Sequence, residues 1–231
     1  MRTKLGAIAA GAALTVIVPS AAQAVVVAEW KMDEPSGATT MVDSAGGDNN
    51  GRIGSVVTGV QGLAGGSAYQ FDGATSYIEV PDKANLDPGT KTITIGATVK
   101  VEDGEILDDS YEVIRKGIVT TKGGEWKMEI KRAGSDSTVG RLNCVFKGVL
   151  SNGTTSLASK LATPDIVDGQ AHRLECKKTG TSISAVVDGQ AFPLTKTVGK
   201  IVNAEPVVIG SKVAGDDVMQ GIIDQVTVNI G

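Results

Sequence analysis

Apolar residues alternate with polar ones in short runs through most of the chain, and Gly, Asp, Asn and Ser separate the runs. A period of two residues is typical of β-strands that bury one face and leave the other in solvent, as in antiparallel sheets. The clearest runs cover residues 77–80, 92–100, 126–131, 142–146, 172–177, 183–188 and 222–228.

Tight turns are expected between these strands. Asn152-Gly153 and Asp188-Gly189 are pairs that accept the positive φ of two-residue hairpins. No stretch of ten or more residues keeps a helical apolar period, which disfavours a βαβ architecture. The pattern therefore predicts an all-β fold, an antiparallel sandwich of two sheets packed face to face.

The first 24 residues have the three parts of a secretory signal peptide. Arg2 and Lys4 give a positive start, residues 5–18 form an apolar run, and residues 22–24 are a small-x-small cleavage site. The run is short for a membrane span, which needs about 20 apolar residues, so a membrane anchor is the weaker alternative. We expect a signal peptide over 1–24, one domain over 25–231, and a secreted, extracellular protein.

The charge of the chain argues against nucleic-acid binding, and its length fits one domain. Without Arg2 and Lys4, 20 basic residues face 26 acidic ones, so the mature chain has a formal charge of −6. No block of Lys or Arg occurs, which argues against nucleic acid as a partner. The remaining 207 of 231 residues fit a single β-sandwich.

Several short segments carry, in order, a resemblance to a known family. They are residues 30–37, 42–44, 49–51, 68–73, 76–81, 168–172, 187–189, 208–210 and 221–226. Together they resemble the laminin G-like, concanavalin A-like jelly-roll domains of secreted bacterial proteins, over nearly the whole mature chain. The resemblance implies a jelly-roll sandwich that binds carbohydrate or another extracellular partner. Ala171 departs from the family, which usually has Trp before the His of the fourth motif.

The chain has two cysteines, Cys144 and Cys176, and both fall in alternating runs. In an oxidising compartment such a pair is more often a disulfide than a thiol site, and the resemblance favours a bridge at these two places. Free buried thiols are the alternative. Zinc is disfavoured, because two cysteines without a C-x-x-C motif and a single histidine do not supply four ligands.

The residues disfavour an enzyme. His172 is the only histidine and no G-x-S-x-G motif surrounds it, so a structural role on a strand is expected. Related jelly-roll glucanases carry Glu-x-Asp-x(x)-Glu on one strand face, and residues 105–112 do not match that spacing. The adjacent Asp108 and Asp109 predict that this stretch, including Glu112, is an exposed loop.

Structural calcium is the ion that the sequence favours. In many jelly-roll domains similar acidic residues help to hold a metal where the first and last strands meet, so the resemblance implies Asp72 and Asp224 as ligands. For Asp72 the alternative is a hydrogen bond to its own turn. Residues 48–51 are expected to form an Asx-rich turn, because Arg52 breaks the calcium-loop pattern at its fifth place.

Few aromatic residues are present to form a sugar-binding platform. Trp126, which follows a Gly-Gly pair, and Tyr111 are the candidate ligand contacts, with a core role as the alternative for Trp126. Four other aromatic residues alternate with polar ones and are expected in the core: Trp30, Phe71, Tyr77 and Phe146.

These observations predict a secreted, non-catalytic binding domain whose partner is a carbohydrate or an extracellular protein. A structural or adhesive exoprotein without a small ligand is one alternative, which the low aromatic content favours modestly. A polysaccharide-degrading enzyme on the same fold is another, against which the missing carboxylate motif argues.

Cleavage is expected after Ala24, because the positive start, the apolar run and the small-x-small site coincide there. Intact mass spectrometry of the exported protein should give a chain that begins at Val25. A secreted form that still begins at Met1 would contradict the secretory interpretation.

Overall fold

The computed structural model describes residues 24–103, 109–213 and 215–231. Apart from Ala24, the signal segment lies outside these ranges, so its cleavage stays a prediction. Within them, no helix is long and apolar enough to cross a membrane. The helical content of the described residues is a single 3₁₀ turn, Ala84–Leu86.

The described residues form two antiparallel sheets of eight strands each. The first sheet contains β1 (Val25–Trp30), β4 (Val57–Gln61), β5 (Ser67–Asp72), β7 (Ile93–Lys100), β12 (Ala171–Lys178), β13 (Ser182–Val187), β14 (Gln190–Thr195) and β16 (Gln220–Ile230). The second contains β2 (Thr40–Met41), β3 (Gly51–Gly54), β6 (Tyr77–Val80), β8 (Ser110–Lys116), β9 (Glu125–Ala133), β10 (Asp136–Val149), β11 (Thr155–Leu161) and β15 (Val207–Ile209). The predicted fold class, a two-sheet jelly-roll sandwich, is confirmed.

The strand order in each sheet shows where the first and last strands of the chain lie. The first sheet runs β14-β13-β12-β7-β16-β5-β4, and β1 also pairs with β16; the second runs β11-β10-β9-β8-β15-β6-β3-β2. On one side of β16, its first residues pair with β5 and its last residues pair with β1. The N-terminal and C-terminal strands are therefore neighbours in the same sheet.

The core lies between the sheets and is filled by the inward residues of the alternating runs. Its largest side chains include Trp30, Trp126, Tyr69, Phe71 and Phe146, all of them buried. Each buried indole satisfies its N–H inside the protein: Trp30 Nε1 donates to Asn49 O at 2.7 Å and Trp126 Nε1 to Leu86 O at 3.3 Å.

Tyr77 differs from its predicted place in the core. Its ring is half-buried, and the Arg52 guanidinium lies over it at 5.8 Å from the ring centroid. A cation above an aromatic face is attracted by the ring quadrupole, which explains why this tyrosine can stay near solvent.

A disulfide joins Cys144 of β10 to Cys176 of β12, with a Cα–Cα distance of 5.3 Å. The predicted pairing is confirmed. The two strands are not ladder neighbours, because β10 belongs to the second sheet and β12 to the first. The bond therefore crosses the core and ties the two sheets together.

Replacing both cysteines, Cys144→Ala with Cys176→Ala, should lower the free energy of unfolding. The cysteines are 32 residues apart, and closing a loop of that length stabilises the fold by about 3 to 4 kcal/mol in the chain-entropy model. Urea unfolding followed by fluorescence measures the change. The wild-type protein under reducing conditions is the control, since it keeps both side chains, and an unchanged midpoint in either case would contradict the prediction.

Candidate functional site

A groove lies on the outer face of the second sheet, across β8, β9, β10 and β11. The alternation along β9 creates this face. Trp126, Met128 and Ile130 point into the core, so Glu125, Lys127, Glu129 and Lys131 lie on the opposite side of the sheet. Four charged residues therefore form one row along the middle of the groove.

A β-bulge in β8 adds Glu112 and Arg115 to the same face. The pairing with β9 passes from Glu112↔Glu129 to Ile114↔Met128, so one extra residue, Val113, is inserted. In a regular strand, residues three apart point to opposite faces. Because of the inserted residue, Glu112 and Arg115 point to the same face of the sheet, as is usual where a bulge redirects a side chain.

Arg115 joins two carboxylates beneath the groove. Its Nη1 lies 2.7 Å from Glu112 Oε2 and its Nη2 lies 3.1 Å from Glu125 Oε2. Its Nε donates to Gly117 O at 2.8 Å. The Arg115 side chain is 3 % exposed and both carboxylates are buried, so these ion pairs are shielded from water. A planar guanidinium fits this arrangement because its N–H groups form a rigid fork.

Hydrogen bonds continue the network across the sheet. Lys127 Nζ donates to Glu129 Oε2, and Asn143 Nδ2 donates to Glu129 Oε1 at 2.6 Å. Ser159 Oγ donates to Asn143 Oδ1 at 2.8 Å. Because Lys127 Nζ also lies 3.8 Å from Glu112 Oε2, a chain of polar contacts runs from β8 to β11. The side chains that belong to this chain of contacts are therefore held in fixed orientations.

Burial sets the electrostatics of this network. It raises the pKa of Glu112 from 4.5 to about 8, although the charges of Lys127 and Arg115 oppose the change. It also raises the pKa of Glu125, against the same opposing charges. Since the folded pKa of Glu112 is raised, its contribution to stability is full below pH 4.5 and is lost as the pH rises through about 8.

The groove has a volume of 410 Å³ and a mixed lining. Val145 and Leu157 provide an apolar strip, and Leu157 is 50 % exposed. Ile118 and Val119 border the end of β8, whereas Asp109, Lys212 and Asp217 border its beginning. None of the described residues that line the groove is aromatic. The site offers fixed hydrogen-bond donors and acceptors beside a small apolar surface.

The two predicted ligand contacts lie elsewhere. Trp126 is fully buried, with its indole N–H bound to Leu86 O, so the structure gives it the core role that was its alternative. Tyr111 packs in the same core and is 8 % exposed. Neither ring forms an open platform, so burial corrects the assignment of Trp126 as a ligand contact, whereas Tyr111 borders a separate pocket with Asp109 and Asp217 and its assignment stays a prediction.

The two predicted calcium ligands are not brought together. Asp72 lies opposite Gln220 in the ladder of β5 and β16, and Asp224 is four residues further along β16. At about 3.3 Å per residue this places them roughly 13 Å apart. No group of three or more His, Cys, Asp or Glu side chains within the described ranges could hold a metal.

The carboxylates of Asp72 and Asp224 also differ in the hydrogen-bond partners of their oxygen atoms, and therefore in how readily each could bind a cation. Asp72 Oδ1 accepts backbone N–H groups from Ala74 at 2.9 Å, Thr75 at 2.8 Å and Ser76 at 2.9 Å. Burial opposes them, but these hydrogen bonds lower the pKa of Asp72, as the turn alternative predicts. Buried Asp224 has an Oδ1 atom without a hydrogen-bond partner, which fits a cation. Calcium at Asp224 stays a prediction.

The structure also shows the positions of Glu112 and His172. Glu112 lies in β8 and is buried, so its assignment to an exposed loop was wrong, whereas residues 104–108, including Glu105 and Asp108, lie outside the described residues. His172 bridges Asp168 at 3.0 Å and Asp188 at 2.8 Å. Burial alone would lower its pKa, but the two carboxylates raise it, a structural role consistent with the prediction.

Comparison with known proteins identifies the fold. No protein-family model matches the sequence, and no curated protein matches it. The binding domain of Paraclostridial Mosquitocidal Protein 1 is similar in structure, with a TM-score of 0.65 and 15 % identity over 88 % of this chain and 48 % of that one. Our chain thus spans about half the length of that relative.

Two further solved structures have the same architecture. Domain 4 of AbnA, a GH43 extracellular arabinanase from Geobacillus stearothermophilus, in complex with arabinotriose, has a TM-score of 0.64 and 16 % identity, covering 91 % of this chain and 94 % of that one. The botulinum neurotoxin serotype D binding domain has a TM-score of 0.60 and 12 % identity, covering 88 % and 48 %. At these identities the likeness establishes the fold alone.

Arg115→Met should lower the free energy of unfolding by about 3 to 5 kcal/mol, because it leaves two buried carboxylates without their shared partner. Denaturant unfolding at pH 8.5 measures the loss. At pH 5 the loss should be smaller, since Glu112, whose pKa is raised to about 8, is then protonated and leaves no unpaired charge.

Lys131→Met is the matched control on the same sheet face. Lys131 is 42 % exposed and its nearest carboxylate, Asp109, lies 3.6 Å away, so its loss should cost about 1 kcal/mol or less. Equal effects of the two substitutions would show that the Arg115 network does not stabilise the fold.

Proposed function

We propose that this chain is a secreted, non-catalytic binding domain that takes a carbohydrate in the groove of the second sheet. The observation that carries the proposal is the hydrogen-bonded network that runs from β8 to β11 under the groove. A site whose polar groups are already oriented loses less conformational entropy when it binds.

The groove chemistry suits the hydroxyl groups of a sugar. Each hydroxyl both donates and accepts, and the accessible part of the lining supplies Lys131 as a donor, Asp109 as an acceptor and Ser159 as either. Val145 and Leu157 offer an apolar surface for the C–H face of a sugar ring. Without an aromatic platform, affinity depends mainly on hydrogen bonds and on this small surface.

Other observations support an extracellular binding role. The sequence predicts export, and the inter-sheet disulfide suits an oxidising compartment. Among proteins of the same fold, domain 4 of AbnA is described with arabinotriose and two toxin domains are described as binding domains. Membership of the laminin G-like family, and a structural calcium at Asp224, are parts of the same proposal.

The carboxylates of the groove favour binding over hydrolysis. Glu125 and Glu129 are four residues apart on one strand, roughly 13 Å, beyond the 5 to 9.5 Å that glycoside hydrolysis uses. Glu112 lies directly opposite Glu129, but its carboxylate is fully buried and paired with Arg115. Glu112, Glu125 and Glu129 therefore do not present a substrate with two accessible carboxylates at catalytic spacing.

A glycan array probed with the mature protein, with arabinotriose as a titrated ligand, tests the proposal. Leu157→Asp places a charge on the apolar strip and should weaken glycan binding at least about tenfold, equivalent to about 1.4 kcal/mol. Leu194→Asp is the matched control, because Leu194 is also exposed but lies on β14 of the first sheet. Parallel titrations with a chelator show whether calcium contributes.

Several outcomes would overturn the proposal. Absence of binding to every glycan would favour the structural or adhesive alternative. Equal weakening by Leu157→Asp and Leu194→Asp would place the site outside the groove. Release of reducing sugar from a polysaccharide, abolished by Glu129→Gln, would show an enzyme.

A further inference from the structure

Lys116 is a fully buried lysine on the strand that also carries Arg115. In the ladder it lies opposite Trp126, so its side chain enters the protein on the core side of the second sheet. Its Nζ contacts Asp82 Oδ1 at 2.7 Å and Asp87 Oδ1 at 3.0 Å. It also lies 2.6 Å from the backbone oxygen of Asn203 and 3.2 Å from its Oδ1.

The side-chain amide of Asn203 is fixed beside this amine. Its Nδ2 donates to Gly124 O at 2.9 Å, and its Oδ1 accepts the backbone N–H of Glu205 at 2.9 Å. An acceptor on one side and a donor on the other define which atom is nitrogen and which is oxygen. The donor at Oδ1 also polarises the carbonyl, as donors do in oxyanion sites.

We propose that Lys116 and Asn203 form an intramolecular isopeptide bond, with Asp87 as the proton carrier. The three parts that such aminolysis needs are together: a held amine, a polarised carboxamide, and a carboxylate that touches the amine. Asp87 is the more buried of the two aspartates at Lys116, and its Oδ1 also accepts the Asn203 backbone N–H at 3.3 Å. Positioning of this kind replaces a bimolecular encounter by a local one.

The reaction balances without an external reagent. Asp87 takes one proton from the Lys116 ammonium, and the neutral amine attacks Cγ of Asn203. The new Nζ–Cγ bond forms, the Cγ–Nδ2 bond breaks, and the former Nδ2 leaves as ammonium with two protons that came from Nζ. Asp87 returns to its carboxylate form. Burial of Lys116 and Asn203 keeps water from competing with the amine.

A second buried lysine provides the comparison. Lys178 is also fully buried, but its described hydrogen bond is to Lys91 O at 2.9 Å. Burial lowers its pKa, yet a backbone carbonyl is not a carboxamide that can lose ammonia. Lys178 is therefore a control for burial alone: it is a buried lysine without a carboxamide beside its amine, and no cross-link is expected there.

The test is mass spectrometry of the purified mature protein after reduction of its disulfide. The wild-type chain should be lighter than its sequence by about 17 Da, the mass of ammonia, and a protease digest should contain one branched peptide that joins Lys116 to Asn203. Lys116→Met and Asn203→Ala should each have the full sequence mass. Lys178→Met should keep the deficit.

The branched peptide distinguishes the cross-link from ammonia loss within a single asparagine, which gives the same mass change but no branch. A wild-type protein of full sequence mass would overturn the proposal and leave Lys116 as the centre of a non-covalent ion cluster. A deficit without a branched peptide, or one that persists in Lys116→Met, would overturn it as well. Because the first measurement uses the wild-type chain, the result does not depend on whether the variants fold.

Discussion

The two sheets pack against each other around one core, so the side chains on one face of each sheet must be buried in that core. Alternation with a period of two follows from this constraint, and the outer face is what remains for contact with other molecules. On β9 the division is complete: Trp126, Met128 and Ile130 pack inward, while the charged residues between them line the groove. The cross-core disulfide reinforces the same arrangement by tying β10 to β12.

In β8 a bulge interrupts the alternation of inward and outward side chains. Its bulge at Val113 lets Glu112 and Arg115 share the outer face, and the next residue, Lys116, then points to the core side. The side chains of two adjacent basic residues thus enter different environments. Arg115 organises the polar layer under the groove, and Lys116 holds the segments that contain Asp82, Asp87 and Asn203. One strand therefore links the proposed binding surface to the packing below it.

Burial of so many charges is costly, because ions taken from water lose solvation that a single partner rarely replaces. The protein limits this cost by giving Arg115 and Glu129 several partners each. Arg115 contacts two carboxylates and one carbonyl, and Glu129 accepts from both Lys127 and Asn143. Such a network adds little net stability compared with apolar packing, but it fixes orientation. Fixed orientation is what recognition of hydroxyl groups requires.

The residue pattern predicts the fold class, the strand runs and the core positions of Trp30, Phe71 and Phe146, since these depend on local period and hydrophobicity, whereas it left free thiols open as the alternative to the Cys144–Cys176 disulfide. It also displays the alternating charges of β9, which by themselves indicate only a strand face turned to solvent. Tertiary structure alone decided the site. The adjacent Asp108 and Asp109 indicate a loop at Glu112, and residue types do not reveal the bulge that turns its side chain under the groove. The acceptor of the Trp126 indole N–H, Leu86 O, lies 40 residues away in the sequence. Asp72 and Asp224 were grouped by motif, but their distance depends on strand register, which only the pairing of β5 with β16 defines.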